Sequence, residues 1–229
     1  MPSVLAIDIG GTHVKVRVPG DPDKREFDSG PTLTPQQMAD GVKAAAKGWS
    51  YDCVSIGIPA PLVKGAPAKE PSNLGPGWTA FDYGAAFGKP TKIINDAAMQ
   101  AVGSHKSGRM LFLGLGTGLG SCMIADRVIL PLELAHMPYR KGRSFEDYVG
   151  LRGLKRLGKK RWRKHVDAVV GILRAALLPD DVVIGGGNVK SLNDLPEGCR
   201  AGDNANAFIG GFRLWEPEWS NSVELYHSR

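Results

Sequence analysis

The sequence predicts an α/β protein built on an internally duplicated plan, and three observations carry that prediction. A strand, a glycine turn and a returning strand open the chain, with Val4 to Ile9, Gly10-Gly11, and then Val14, Val16 and Val18 alternating with Lys15 and Arg17. The same plan recurs at Met110 to Leu115, a glycine turn, and Ser121 to Ala125. Helical and strand patterns alternate between and after the two units, as in layered α/β folds.

Each element follows from local chemistry. Val4 to Ile9 reads as a buried strand, Val14 to Val18 as a half-exposed partner, and Lys24 to Asp28 as a third strand. Thr34-Pro35 caps a helix over Gln36 to Lys47, because Thr accepts from an early N–H and Pro is pre-set for the first turn. Cys53 to Ile58 is a further buried strand, ended by Pro59-Ala60-Pro61. Pro59 to Trp78 is rich in Pro, Gly, Ser and Asn and reads as a long surface loop. A weak helix near Phe81 to Phe87, a strand at Thr91 to Asn95 and a helix over Ala97 to Val102 follow, placing Asp96 where strand becomes helix. Helices are expected over Phe145 to Leu157 and Lys160 to Leu178, then a strand at Val182 to Ile184 running into Gly185-Gly186-Gly187. From Gly202 to Phe212 a closing helix and loop is expected.

Composition removes several function classes. Glycine makes up 30 of the 229 residues, well above the usual share of about 7%. Yet 42% of residues are apolar and no Gly-X-Y period runs through them, which excludes collagen and disorder. The apolar runs fall well short of the roughly 20 residues that a spanning helix needs. Met1-Pro2-Ser3 leads directly into a strand pattern without a basic and then long apolar leader, so cytoplasmic residence is expected. Cys53, Cys122 and Cys199 are widely spaced and form neither a disulfide framework nor a zinc pattern; all three are expected to be small core residues. The net charge of +6 is concentrated in one stretch, with eight cations in the 13 positions from Arg152 to Lys164. That patch is either a solvated helix face or a surface for a polyanion.

The glycines cluster at strand ends: Asp8-Ile9-Gly10-Gly11-Thr12, Gly114-Leu115-Gly116-Thr117-Gly118-Leu119-Gly120, and Gly185-Gly186-Gly187-Asn188. Such turns can present backbone N–H groups as an anion nest, with hydroxyls from Thr12 and Thr117, although any one of them alone could be an ordinary hairpin turn. Gly153-x-x-x-x-Gly158-Lys159 nearly spells a phosphate loop, but Lys160 replaces the metal-binding Ser or Thr and no strand precedes it. No dinucleotide Gly-x-Gly-x-x-Gly occurs. Asp8 and Asp96 are carboxylates at strand ends, where open α/β sheets place their chemistry. Phosphoryl transfer needs one carboxylate near hydrated Mg²⁺ and another to accept the proton of the attacking hydroxyl. The plain alternative for Asp96 is a helix N-cap.

Taken in order, Asp8-Ile-Gly-Gly-Thr12, Ile94-Asn-Asp-Ala97, Leu115-Gly-Thr-Gly-Leu-Gly-Ser121 and Ile184-Gly-Gly-Gly-Asn188 resemble the ROK family of repressors and kinases, and within it the glucokinases and polyphosphate glucokinases. The resemblance runs from about residue 4 to residue 190. It implies the two-lobed actin-like ATPase fold, related to ribonuclease H, with the active site in the cleft between a lobe over 1–103 and a larger lobe over 104–229. It further implies Asp96 as general base, with Asn73 and Asn95 binding sugar hydroxyls. Glu133 and His136 look like the family's Glu-x-Gly-His sugar clamp, and Glu146 like its later sugar-binding Glu. Asp8 would orient Mg²⁺; Gly10, Gly11, Thr12, Lys15, Gly116, Thr117 and Gly118 would surround phosphates, and Gly186 and Gly187 would lie near an adenine. A homodimer is implied as well.

Three departures stand out. Ala135 replaces the Gly before His136, which predicts a slightly altered loop backbone; the cysteine-rich zinc motif is absent, so no zinc site is expected; and no helix-turn-helix pattern precedes Val4, which argues against a repressor. The expected activity is phosphorylation of the glucose 6-hydroxyl by ATP, polyphosphate or both. A kinase for another hexose or N-acetylhexosamine, and a non-catalytic polyanion or nucleic-acid binder, stay open as alternatives; specific nucleic-acid recognition and membrane attachment are not expected.

Overall fold

Two five-stranded sheets of the same topology organise the chain, in a computed structural model that describes residues 2–203, 205–219 and 222. The first comprises β1 (Val4–Ile9), β2 (His13–Arg17), β3 (Arg25–Asp28), β4 (Cys53–Ile58) and, after the small hairpin β5 (Leu62–Val63) and β6 (Ala66–Pro67), β7 (Thr91–Asn95), in the order β3-β2-β1-β4-β7. The second comprises β8 (Met110–Leu115), β9 (Leu119–Ala125), β10 (Val128–Leu132) and, after the hairpin β11 (Pro138–Arg140) and β12 (Arg143–Ser144), β13 (Asp181–Gly185) and β14 (Cys199–Ala201), in the order β10-β9-β8-β13-β14. Each sheet starts as an antiparallel three-strand meander and continues through two parallel strands. The predicted duplication is therefore visible strand by strand, and the fold is the predicted α/β one.

Helices cover the faces. The first sheet carries α1 (Pro35–Ala45), started by a Thr34–Gln37 capping box and packed through Met38, Ala39 and Val42, and α2 (Tyr83–Phe87). Over the second sheet lie α4 (Phe145–Val149) and α5 (Leu151–Leu177), whose Trp162, Val166, Val169, Val170 and Leu173 recur at helical spacing as one buried stripe. The break expected between the helices over Phe145 to Leu157 and Lys160 to Leu178 is present, and one more divides the first of them. A first break falls at Gly150, and Gly158, at φ 72°, bends α5 where a residue with a β-carbon would be strained. The near-match to a phosphate loop thus lies within a helix.

Between the sheets runs α3 (Asp96–Ser104), which packs on β8 and β9 of the second sheet as well as β4 and β7 of the first. Behind it lies α6 (Asn206–Arg213), the expected closing helix; Asn204, also in the expected segment, lies outside the described residues. Backbones of α3 and α6 touch: a β-carbon on Gly103 would overlap the Asn206 carbonyl, and one on Gly210 that of Met99. From there α6 reaches β1 and β4, with Ser55 Oγ donating to the Gly211 carbonyl (2.7 Å) and accepting from Trp215 Nε1 (2.8 Å).

Cys53 and Cys122 are buried as expected, but Cys199 is only half-buried because β14 is an edge strand. The long loop after Pro59 holds the β5–β6 hairpin and ends at Trp78, which is fully buried rather than at the surface.

Candidate active site

A cleft of about 480 Å³ opens at the C-terminal ends of the parallel strands of both sheets. Among the residues expected at a site, Gly10, Gly11, Asn73, Asn95, Asp96, Gly116, Thr117, Gly118, Glu133, His136, Glu146 and Gly186 line it. Asp8, Thr12, Lys15 and Gly187 do not, although each belongs to a turn or strand that reaches it.

The β7–α3 junction sets the chemistry. Asn95, not Asp96, is the N-cap: its side-chain oxygen accepts from the Ala97 and Ala98 N–H groups at 3.0 and 3.2 Å, and its Nδ2 donates to the Ala60 carbonyl at 3.2 Å. Asp96 is the first helical residue and accepts from the Ala97 N–H at 2.8 Å. Burial pushes the Asp96 carboxyl up to about 7, and the charges of Asp8 and Glu133 add to the rise while the helix N–H groups oppose it. Asp8 is likewise raised by burial, with Lys15 and Lys24 pulling the other way. Lys15 faces Asp8 across the β1–β2 ladder, which explains why it acts on this carboxylate instead of lining the cleft. A base near neutrality at a helix N-terminus can hold a proton or give it up under ordinary conditions.

The glycine turns supply donors. Gly10 N–H bonds the His13 carbonyl and Gly116 N–H that of Gly118. The N–H groups of Gly11, Thr12, Thr117 and Gly118 have no protein partner among the described residues. Three of these residues, Gly11, Thr117 and Gly118, line the cleft, so the turns of both β-hairpins bring backbone donors to it. Of the nine glycines in the three strand-end turns, only Gly186 takes a positive φ, whereas Gly118, Gly120 and Gly185 sit where a β-carbon would crowd Glu146, Ala97 and Phe112.

At the other end, Glu133 and His136 flank the 3₁₀ turn Leu134–His136, with His136 Nε2 3.6 Å from Glu133 Oε2 and both side chains more than half exposed. Ser121 pins this turn by donating to the Leu132 carbonyl (2.7 Å) and accepting from Leu134 N–H (3.3 Å). Ala135 turns its methyl into the core beside Phe145 and Tyr148, so the extra carbon relative to Gly is absorbed by packing. Glu146, on α4, accepts from the Leu119 N–H at 3.3 Å and pairs with Arg152 at 3.3 Å.

Lys69 and Gln100 also line the cleft, and neither was singled out from sequence. Gln100 follows Asp96 by one helical turn, a spacing that places both on one face. Lys69 comes from the irregular loop and has no such signal; it is the one Lys or Arg among the described residues that line the cleft. None of the eight cations from Arg152 to Lys164 on α5 lines it. Arg152, Arg156 and Arg163 are held by Glu146, the Asp147 carbonyl and the Ser191 carbonyl, whereas Lys155, Lys159, Lys160, Arg161 and Lys164 are exposed. No cluster of three or more metal-ligating side chains occurs among the described residues, and no described helix is long and apolar enough to cross a membrane.

Solved structures share this arrangement along nearly the whole chain. The inorganic polyphosphate/ATP-glucomannokinase of Arthrobacter sp. strain KM is 21% identical, with 98% of this chain and 99% of that one covered at a TM-score of 0.78. A ROK-family glucokinase of Streptomyces griseus in complex with glucose and AMPPNP is 17% identical, over 91% and 97% of the two chains, at 0.67. The chain has the fold of these sugar kinases. A ROK-family transcriptional regulator shares it as well, at 12% identity over 99% of this chain and 81% of that one, with a TM-score of 0.70. No family model matches the chain, and no curated protein does.

Proposed function

We propose that this protein is a ROK-type hexose kinase that transfers a phosphoryl group to the 6-hydroxyl of glucose or a close relative. The observation that carries the reading is the position of Asp96: a carboxyl raised to about 7, set between unpartnered backbone donors and the Glu133, His136 and Glu146 side chains. Carboxylates, amides and imidazole suit a polyhydroxylated ligand, because each pairs with one or two hydroxyls in fixed geometry. Asn73 and Asn95 complete that end, Asn95 with whatever capacity its cap leaves.

In this reading Asp96 takes the proton of the sugar hydroxyl as that oxygen attacks the terminal phosphorus and the bond to the donor's bridging oxygen breaks. The Gly11, Thr12, Thr117 and Gly118 N–H groups hold the donor phosphates, and Gly186 and Gly187 border the remainder of the donor. Asp8 is a single carboxylate with no metal-ligating cluster around it, which fits Mg²⁺ held mostly by phosphate oxygens and water. When bound, Mg²⁺ would neutralise charge on the transferred group. Lobes over 1–103 and 104–229 would close on the substrates and exclude water.

The donor is proposed to be ATP, polyphosphate or both. The exposed cations of α5 favour a polyanion alongside ATP, since they lie outside the cleft where only a long donor could reach them. Steady-state assays with a hexose panel and each donor test the proposal. Formation of a hexose 6-phosphate is the expected outcome, and no phosphorylated sugar from any pair would refute it.

A further inference from the structure

The two halves of the sugar-binding end reach the cleft from different directions. Glu133 and His136 sit on the turn before β11, which Ser121 ties to β9, and Glu146 on the helix after β12; the intervening hairpin is a further connection between them. Tyr139, the central residue of β11, touches both helices beside the hairpin. Its ring centroid lies 5.5 Å from Phe145 and 5.1 Å from Tyr148, both on α4, and 5.7 Å from His165 on α5. His165 is also 4.6 Å from Tyr148. A hydrogen bond of 3.2 Å joins Tyr139 Oη to His165 Nδ1. The hairpin, α4 and α5 thus meet in one aromatic cluster, and the single polar link within it is the Tyr139–His165 pair.

We infer that Tyr139 and His165 form a latch that fixes the spacing between the Glu133–His136 turn and Glu146, and so act as positioning residues for hexose binding. This rests on the kinase reading of the cleft. Direct support comes from the way the hairpin is otherwise attached. Its ends are tied by Phe145 N–H to the Met137 carbonyl (3.0 Å), but its turn, Lys141-Gly142, is exposed. The Tyr139 contacts thus add a second attachment of the hairpin to α4 and α5, beside the Ser121 bonds that hold the Glu133–His136 turn to β9. The groups facing His165 are the Tyr139 and Tyr148 rings and the Arg140 and Arg156 guanidinium groups, which lie over the Tyr139 and Tyr148 rings at 5.1 and 5.2 Å. Burial and then those two charges hold His165 below its ordinary value, which favours the neutral ring, and in the tautomer with its proton on Nε2 the Nδ1 accepts from the tyrosine hydroxyl.

The test is hexose affinity of the full chain, read by calorimetry with glucose as a function of pH, for the wild type, Tyr139→Phe and His165→Asn. Tyr139→Phe keeps the ring and its packing and removes only the hydroxyl. The expected result is about 3- to 10-fold weaker glucose binding at neutral pH, the scale of one lost hydrogen bond. In the kinase assay KM for glucose should rise by the same factor while kcat changes little. Wild-type affinity should change as pH drops through the range in which His165 protonates and its Nδ1 turns from acceptor to donor, and that change should be absent in Tyr139→Phe. A merely structural role would not produce this pH-dependent difference. Equal affinity of wild type and Tyr139→Phe at every pH overturns the latch and leaves the kinase reading standing; no glucose binding by the wild type overturns both.

Discussion

A β-carbon at position 118 would occupy the space that the Glu146 carboxylate fills. The glycine of the β8–β9 turn therefore serves the proposed sugar-binding end as well as the proposed phosphate end, because Glu146 Oε2 lies over the turn and accepts from the next N–H, that of Leu119. Gly118→Ala should push Glu146 aside. The expected outcome is a higher hexose KM, by about 10-fold for a lost charged hydrogen bond, with a smaller change in donor KM. Equal shifts in both constants would count against the coupling.

Asp96→Asn removes the proposed base, preserves its size and leaves the Asn95 cap in place. Turnover should fall by roughly 10²- to 10⁴-fold, with glucose affinity by calorimetry close to wild type. Retained turnover would overturn the assignment.

The pH dependence has a definite sign. Ionised Asp96 is the active form, so kcat/KM should climb as pH rises through about 7. Stability should move oppositely. The folded-state value lies above the unfolded one of 3.8, so between about 4 and 7 the native state holds a proton that the unfolded chain has lost, and stability falls as pH rises across that window. Asp96→Asn lacks this penalty. Thermal midpoints should show the variant gaining on the wild type from pH 5 to pH 8, and parallel curves would show that Asp96 is not desolvated.

Lys69 faces a cleft whose other charged lining residues are Asp96, Glu133 and Glu146. A phosphoryl group entering such a site needs a counter-charge. Lys69→Met should lower kcat/KM for the donor by about 10- to 100-fold, and Lys69→Arg should recover part of it. Sugar affinity should hold, and a loss confined to sugar binding would reassign the residue.

The exposed cations of α5 separate the donors. Lys159→Gln, Lys160→Gln and Lys164→Gln combined should weaken polyphosphate use and its salt dependence while leaving ATP use near wild type. Equal rates with polyphosphate would make the stretch a solvated face.

Much of this was legible in the residues because it depends on local patterns. The strand–glycine–strand units gave both hairpins, Thr34-Pro35 gave the start of α1, and Asn95-Asp96 marked the strand-to-helix junction. What escaped depends on contacts distant in sequence. The capping at the junction falls to Asn95 because Asp96 already turns into the helix, a choice that composition does not encode. Lys69 comes from a loop without a period, and the Tyr139–His165 contact joins a hairpin to a helix 26 positions further on. The edge position of Cys199 follows from sheet order, which one strand alone does not reveal.

The return of α6 to β1 and β4 has a consequence for biosynthesis. Those strands leave the ribosome within the first 58 residues, but the helix that covers their face, and the Ser55 hydroxyl between them, is at 206–213. Nearly the whole chain must be translated before the first sheet can close its apolar surface. The nascent N-terminal half therefore waits with a sticky face, and slow passage through the codons of the second half would prolong its exposure to aggregation and its need for a holding chaperone.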